Sequence, residues 1–526
     1  MTEYVTEQNQ NALNEEYDAK MTRKYEGKIK DGYLQIGDLF DGGDPEVTSL
    51  RFLEKFNIQT LKLNISSDMS VKLRSNTLKK LNVVTYNLLL NQNEEQHDDN
   101  EDDDEDDQPQ RLNMQVDDLE LENLEVLKLE NNKLENNQLY NLAKFKKLHT
   151  LNVSDNKIDL THIHIVRSLT NLSMRECGLK NIDLISSLVN LEELDLSLNR
   201  DIDLNPLRKL KSLTTLYLRE CGLTRIDQIT SLVNLQELDI SLNEDLDLNP
   251  LRKLKCLTTL YLRNCGLTNI DQIALLINLE VLDIAYNQLL TINSLSSLVN
   301  LKQLDISSNY KIDITSLKDL VGLIKLNMQS CNLRQLSALK SLINLQHLDF
   351  SYNPNIIITE LQYLRNLTHL NLKLCNLVSV YVLRPLVNLE VLHISYNNIV
   401  HLDANLDKMK NLEKLSAEGS RISNFSSLEK HPNYNNLDEK GKRCFEISYQ
   451  RDPSEQQLCK ANKFRKIERP NIQLKEIQNQ HKALKTTLQK FKKQLNAVMN
   501  NARQSQIQFT ANMVRLFQQL NQFGFE

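Results

Sequence analysis

The architecture of this chain can be derived from LEELDLSLN, residues 191–199. Leu194 and Leu196 are two residues apart, so in an extended strand both side chains leave on the same face, whereas Asp195 leaves on the opposite face. One such short strand cannot bury its own leucines, but stacked copies bury the leucines of one another. The stretch therefore predicts a single turn of a larger, repetitive structure.

The same pattern recurs along most of the chain at a nearly constant spacing. Between Leu169 and Leu389 its first leucine returns every 22 residues, and a fixed period of this kind is the sequence signature of a solenoid. Strands of neighbouring turns then pair in parallel, and the side that carries the short strands becomes concave. The first leucines of the fourteen turns are Leu124, Leu148, Leu169, Leu191, Leu213, Leu235, Leu257, Leu279, Leu301, Leu323, Leu345, Leu367, Leu389 and Leu412.

The last position of the pattern carries asparagine in some turns, as at Asn199, and cysteine in five others. An asparagine amide here can pair with backbone groups that would otherwise be buried without a partner. Cys177 and Cys221 are two turns apart, roughly 10 Å by the strand spacing, whereas a disulfide needs Cα atoms within about 7 Å. We therefore predict buried free thiols and, with them, a reducing cytoplasmic location. The five cysteines are Cys177, Cys221, Cys265, Cys331 and Cys375.

This repeat resembles the 22-residue class of leucine-rich repeat found in the regulatory subunit of type-1 protein phosphatase and in bacterial internalins. The resemblance covers roughly Ile58 to Phe425. It implies an α/β solenoid, a horseshoe or curved rod with short parallel strands on the concave face. It also implies a protein partner on that face, with a type-1 phosphatase as one candidate. The segments KYEGKIKDGYLQI (24–36) and FLEKFNIQTLKL (52–63) resemble the N-terminal module of large protist leucine-rich-repeat families.

The sequence predicts four segments. Residues 1–50 form a polar N-terminal segment or cap, and residues 51–425 form the repeat array. Within the array, a disordered acidic insertion is predicted at 92–110, because EEQHDDNEDDDEDD (94–107) has too little apolar content to fold. Residues 426–469 form a C-terminal cap and helix, and residues 470–526 form a basic coiled-coil helix.

The coiled-coil prediction depends on apolar residues at three- and four-residue steps, such as Leu484, Leu488, Phe491 and Leu495. This tail predicts a contact with a second protein or self-association. Its excess of lysine and arginine leaves open association with a membrane surface or with nucleic acid. The polar, acidic start of the chain predicts no signal peptide.

We find no sequence motif for catalysis: no phosphate-binding loop, no HExxH, no GxSxG and no CxxC pair. The chain is therefore predicted not to be an enzyme, and to use no cofactor and no small-molecule substrate. His347 and His369 hold the same outward position on adjacent turns, with His393 on the next strand. No carboxylate or thiol completes a metal-binding set by position, so no metal site is predicted, and clustered imidazoles instead predict sensitivity to pH.

The concave face is the predicted site, and a protein-binding scaffold or adaptor is the predicted function. Outward positions run in columns along the strands, one through Asp195 and Tyr217 and the next through Ser197 and Arg219. Tyrosine and arginine dominate binding hot spots, although aspartate and arginine on adjacent strands can also merely neutralise each other. The candidate partner-binding residues are Tyr217, Arg219, Asp239, Tyr261, Arg263, Asp283, Tyr286, His347, Tyr352, His369, His393 and Tyr396.

Overall fold

The structure is a computed structural model, and the residues that it describes all lie in the first of two compact units, Met1–Asp452 and Pro453–Glu526. The predicted acidic insertion at 92–110 and the predicted coiled-coil helix at 470–526 lie outside the described residues. Within the described part, no helix has the length and hydropathy that crossing a membrane requires. The described residues are 28–31, 33–36, 56–66, 73–86, 115–402, 406–420, 422 and 446–448.

Short strands stack in parallel, and eighteen of the twenty described strands form one sheet. The other two, β3 and β5, pair with each other. The strands are β1 Tyr33–Ile36, β2 Thr60–Ser66, β3 Leu73–Ser75, β4 Lys80–Tyr86, β5 Leu119–Leu121, β6 Val126–Lys128, β7 Thr150–Asn152, β8 Asn171–Ser173, β9 Glu193–Asp195, β10 Thr215–Tyr217, β11 Glu237–Asp239, β12 Thr259–Tyr261, β13 Val281–Asp283, β14 Gln303–Asp305, β15 Lys325–Asn327, β16 His347–Asp349, β17 His369–Asn371, β18 Val391–His393, β19 Lys414–Ser416 and β20 Glu446–Ser448.

The leucine pattern explains why these strands stack in register. The middle residue of each strand is a buried leucine from β6 to β19, and Leu194 pairs with Leu216 on the next strand. Burying such a side chain contributes about 1.5–3 kcal/mol, and a shift by one residue would turn every leucine to solvent. The predicted solenoid with parallel strands on its concave face is therefore confirmed.

The outer wall consists of 3-10 helices, and the described residues contain no α-helix. Each 3-10 helix buries an apolar residue against the back of the strands, as Leu207 does. These helices are Val116–Asp118, Asn136–Leu139, Leu142–Lys144, Asp183–Ser187, Asn205–Lys209, Asp227–Ser231, Asn249–Lys253, Asp271–Leu275, Asn293–Ser297, Thr315–Asp319, Ser337–Ser341, Thr359–Tyr363, Tyr381–Leu383 and Leu406–Lys408.

The sheet extends past the predicted ends of the array. Strand β1 pairs with β2 and so begins the sheet at Tyr33, and β20 pairs with β19. Strand β4 pairs directly with β6. The chain between these two strands, which is long enough for two turns, therefore adds no strand of its own to the main sheet among the described residues.

The predicted asparagine and cysteine ladder is present. The Asn199 amide nitrogen donates to the carbonyls of Met174 and Leu196 at 2.8 and 2.9 Å, and its oxygen accepts from the backbone N–H groups of Cys177 and Leu179. The five ladder cysteines are free and buried, as predicted. Burial raises the pKa of the Cys177 thiol from 9.0 to about 12, so these thiols are structural donors and poor nucleophiles.

Candidate functional site

The strands present three columns of side chains on the concave side, which we call the strand face. The first column is the first residue of each strand from β9 to β19, as in Glu193. The central column is the third residue of each strand, as in Asp195. The third column lies two residues beyond the central one, where the backbone leaves the strand, as in Ser197. Twelve predicted site residues lie in these columns or one residue beyond them.

Aspartates of the central column help to fold the backbone. Asp239 Oδ1 accepts a hydrogen bond from the backbone N–H of Ser241 at 2.8 Å, and Asp283 Oδ1 accepts one from Ala285 at the same distance. Aspartate commonly makes this local turn with the residue two positions ahead. The predicted site residues Asp239 and Asp283 are thus structural as well as charged, a role that the sequence reasoning missed although the recurring D-x-S spacing signals it.

The serines of the third column correct a prediction. They were expected to point outward, but Ser197 and Ser241 are buried. Their hydroxyl oxygens accept hydrogen bonds at 3.2 Å from the backbone N–H groups of Arg219 and Arg263 on the next turns. These serines are buried because the backbone bends inward at this point, and their side chains are too short to reach the surface. Only the long members of the column, such as the exposed Arg219, reach solvent.

Two predicted tyrosines are half-buried in the central column. The Tyr217 hydroxyl donates to Glu237 Oε1 at 3.1 Å. Burial, together with the negative charge of Glu237, raises the pKa of the Tyr217 hydroxyl above its usual value. Burial and the same carboxylate raise the pKa of Tyr261. Both phenols therefore stay protonated at neutral pH, and that of Tyr217 acts as a donor.

Arg263 joins a tyrosine to a pair of carboxylates. Its guanidinium lies 4.3 Å from the centre of the Tyr286 ring. It also lies 3.5 Å from Asp283 Oδ2 and 3.9 Å from Asp305 Oδ2. Burial and the neighbouring Asp305 raise the pKa of Asp283, and Arg263 opposes this rise. Asp305 was not among the predicted site residues, although its place opposite Asp283 in the parallel register puts it there.

Lys373 lies between two exposed tyrosines. Its ammonium group is 5.8 Å from the centre of the Tyr352 ring and 5.4 Å from that of Tyr396. Both tyrosines occupy the left-handed position just before the ladder asparagine, with φ of 61° and 57°, and Tyr286 occupies the equivalent position with φ of 56°. This bend turns the rings toward solvent, where 42% of Tyr352 and 49% of Tyr396 is exposed.

The structure brings two of the three predicted histidines together. The rings of His347 and His369 stack with centroids 4.3 Å apart. His393 lies in the central column instead, and its Nδ1 is 2.8 Å from Ser416 Oγ. Partial burial, then the charges of His369 and Lys325, lower the pKa of His347. The described residues contain no group of three or more side chains placed to hold a metal ion.

A shallow groove of about 560 Å³ follows the strand face from β12 to β18. Its lining includes five of the predicted site residues, namely Tyr261, Asp283, His347, His369 and His393. The other seven lie outside its lining. The arrangement offers charged, aromatic and hydrogen-bonding groups along an open surface, which suits contact with an extended polypeptide.

Comparison with known proteins identifies part of the repeat array. Residues 255–310 match the leucine rich repeat family model, which confirms the predicted resemblance to leucine-rich-repeat proteins. The 22-residue class and the protist-type N-terminal module stay predictions. No curated protein matches the chain significantly.

Several solved structures are similar to the chain. An internalin (inlF) from Listeria monocytogenes is 22% identical over 66% of this chain and 89% of its own, with a TM-score of 0.46. The LRR protein LIC12759 from Leptospira interrogans is 24% identical over 59% of this chain and 89% of its own, with a TM-score of 0.49. The functional domain of InlJ from Listeria monocytogenes, which includes a cysteine ladder, is 22% identical over 74% of this chain and 69% of its own, with a TM-score of 0.43.

Proposed function

We propose that this leucine-rich-repeat array binds a protein partner on its strand face and serves as a scaffold or adaptor. The main observation in support of this proposal is that cationic side chains lie against tyrosine rings on this face. Arg263 lies against Tyr286, and Lys373 lies between Tyr352 and Tyr396. Tyrosine and arginine are, with tryptophan, the residues most enriched among the hot spots that dominate binding energy at protein interfaces.

The rigidity of the strand face adds to this argument. Arg263 is held by two carboxylates as well as by a ring, and the three tyrosines leave the backbone at the same bend in different turns. Side chains that are already ordered lose little conformational entropy when a partner arrives. A cation over a ring contributes about 0.5–2 kcal/mol, so each cluster is suited to anchor a partner.

Affinity capture with mass spectrometry tests the proposal. The full chain is the bait, and the extract comes from the source cells. We expect a captured protein to be lost with Arg219→Glu/Arg263→Glu and retained with Arg208→Glu/Arg252→Glu. The control arginines are exposed on the outer 3-10 helices and, like Arg219 and Arg263, lie two 22-residue repeats apart. Equal thermal unfolding of both variants shows that the fold is intact.

Either outcome of the capture is informative. Loss of the same protein with both variants, or with neither, would contradict binding through the strand face. A captured type-1 phosphatase would give the partner that the repeat resemblance implies. Any other single protein would leave the scaffold function standing and name its partner.

The segment 470–526 supplies a second proposed contact, either with another protein or with a second copy of the chain. Its apolar steps and its charge support this. Light scattering of the full chain and of Leu488→Glu/Leu495→Glu separates the alternatives, because only self-association changes the mass. We also propose a cytoplasmic location, since a reducing compartment keeps buried thiols such as Cys177 free.

A further inference from the structure

The strand face changes charge halfway along the array. On β9–β14 the first and central columns contain six carboxylates and no basic residue. On β15–β19 the same columns contain two lysines, three histidines and one carboxylate. The carboxylates of the first half, which we call the acidic half, are Glu193, Asp195, Glu237, Asp239, Asp283 and Asp305. The basic residues of the second half, which we call the basic half, are Lys325, His347, His369, His393 and Lys414.

Contacts within the face reinforce this difference. The single carboxylate of these columns in the basic half, Asp349, accepts a hydrogen bond from the amide of Asn371 at 2.8 Å as well as its own backbone turn. In the acidic half, Arg263 reaches Asp283 and Asp305 from the third column but none of the four carboxylates on β9 and β11. Those four carboxylates outnumber the one third-column arginine between them, Arg219 just after β10, and therefore keep the acidic half negative.

The stacked histidines lie in the middle of the basic half. His347 on β16 pairs in register with Lys325 on β15 and with His369 on β17. When one ring of such a stack is protonated, protonation of the other ring is disfavoured, because like charges at this distance repel. An anion that contacts both rings offsets this repulsion. The other charged or titratable groups near the stack are Asp349 on β16, His393 on β18 and Glu390 just before β18.

We propose that the partner segment is itself divided in charge, with acidic residues over β15–β18 and basic residues over β9–β12, and that the complex takes up a proton at His347, whose ring stacks on that of His369, as it forms. This inference rests on the proposed function and adds the chemistry of the partner. Binding becomes tighter as the pH falls, by up to about tenfold per pH unit for each proton taken up.

The length of the face sets the size of a test probe. Nine strand spacings separate β9 from β18, about 43 Å at 4.8 Å per strand, which an extended peptide of about 13 residues spans. The probe is a fluorescein-labelled peptide of six lysines, one glycine and six glutamates. Its control is an isomer of equal composition in which lysine and glutamate alternate. Fluorescence anisotropy with the full chain gives both affinities at pH 7.5 and pH 6.0.

We expect the block peptide to bind at least fivefold tighter than the alternating isomer, and to gain affinity from pH 7.5 to pH 6.0. The variant His347→Gln/His369→Gln should lose that gain. The control His162→Gln/His401→Gln, outside the three columns, should keep the gain. Glu193→Gln/Glu237→Gln should weaken binding of the block peptide at both pH values.

Three results would overturn this inference: no binding of the block peptide, equal binding of the two isomers, or a gain at low pH that survives in His347→Gln/His369→Gln. None of them bears on the proposed function, which depends on capture of a protein through the strand face. If capture is lost with Arg219→Glu/Arg263→Glu while the isomers bind equally, the scaffold stands and the charge division of its partner is wrong.

Discussion

The guanidinium of Arg263 lies 4.3 Å from the centre of the Tyr286 ring, on the turn that follows it. The ring is 49% exposed, so a partner can cover it without displacing core residues. The same relationship recurs around Lys373. Cation and ring therefore reach the partner together, and removing either should weaken binding while leaving the array folded.

The first prediction concerns this ring. Tyr286→Ala should weaken binding of the captured partner by about 1–2 kcal/mol, roughly five- to thirtyfold, because the ring and its cation–π contact are both lost. Tyr286→Phe should cost less than half of that, since the ring stays. Calorimetric titration gives both values. Equal losses for the two variants would show that the hydroxyl, and not the ring, makes the contact.

The second prediction concerns the asparagine ladder. Asn199→Ala removes a buried side chain that pairs with five backbone groups, so we expect about 3 kcal/mol less stability toward urea. Asn199→Cys should lose less, because a thiol can still donate to a carbonyl as Cys221 does. The exposed Asn190, which makes one such bond, is the control. A loss for Asn190→Ala as large as for Asn199→Ala would contradict the ladder's role.

The third prediction concerns the thiols. Burial raises the pKa of Cys221 from 9.0 to about 12, so the five ladder cysteines should resist iodoacetamide at pH 8, whereas the exposed Cys256 reacts. Mass mapping of the modified peptides measures this. Because the folded pKa is the higher one, the stability that these thiols contribute is complete below about pH 9 and is lost toward pH 12. Labelling of Cys221 as fast as of Cys256 would contradict the burial.

The fourth prediction concerns His347 in the chain without a partner. Its pKa is lowered by partial burial and by the nearby cations, so the unfolded chain binds a proton more readily than the folded chain does. Stability should therefore fall as the pH drops through about 6.5. Urea unfolding at pH 7.5 and pH 5.5 should show a smaller loss for His347→Gln than for the wild type. An equal loss in both would assign the effect to other groups.

The repeat could be predicted from the sequence because its physics is local and periodic. The two-residue spacing of Leu194 and Leu196 predicts a strand, and the 22-residue repeat predicts that such strands stack on one another. Asn199 indicates where the backbone bends after the strand. The same period correctly placed His347 beside His369, since equivalent positions on adjacent turns must be neighbours. The positions of the strand face that repeat in every turn could therefore be predicted from the sequence.

The details beyond the strand ends could not be read in this way. Ser197 is buried because Leu198 adopts φ of 61° and bends the chain inward, and a strict alternation of faces does not predict that bend. The place of Lys373 between Tyr352 and Tyr396 depends on how long side chains from three turns cross the same bend. Side-chain direction after the strand, and not residue spacing, determines these contacts.

Photo-crosslinking on the full chain can locate the surface that the captured partner contacts. A photoreactive phenylalanine derivative replaces Tyr286 or Tyr352 on the strand face, or Tyr363 on an outer 3-10 helix, which is 49% exposed, as Tyr286 is. Binding on the strand face predicts covalent adducts with the captured partner from positions 286 and 352 and none from 363. Adducts from position 363 alone would contradict it and would move the binding site to the outer wall.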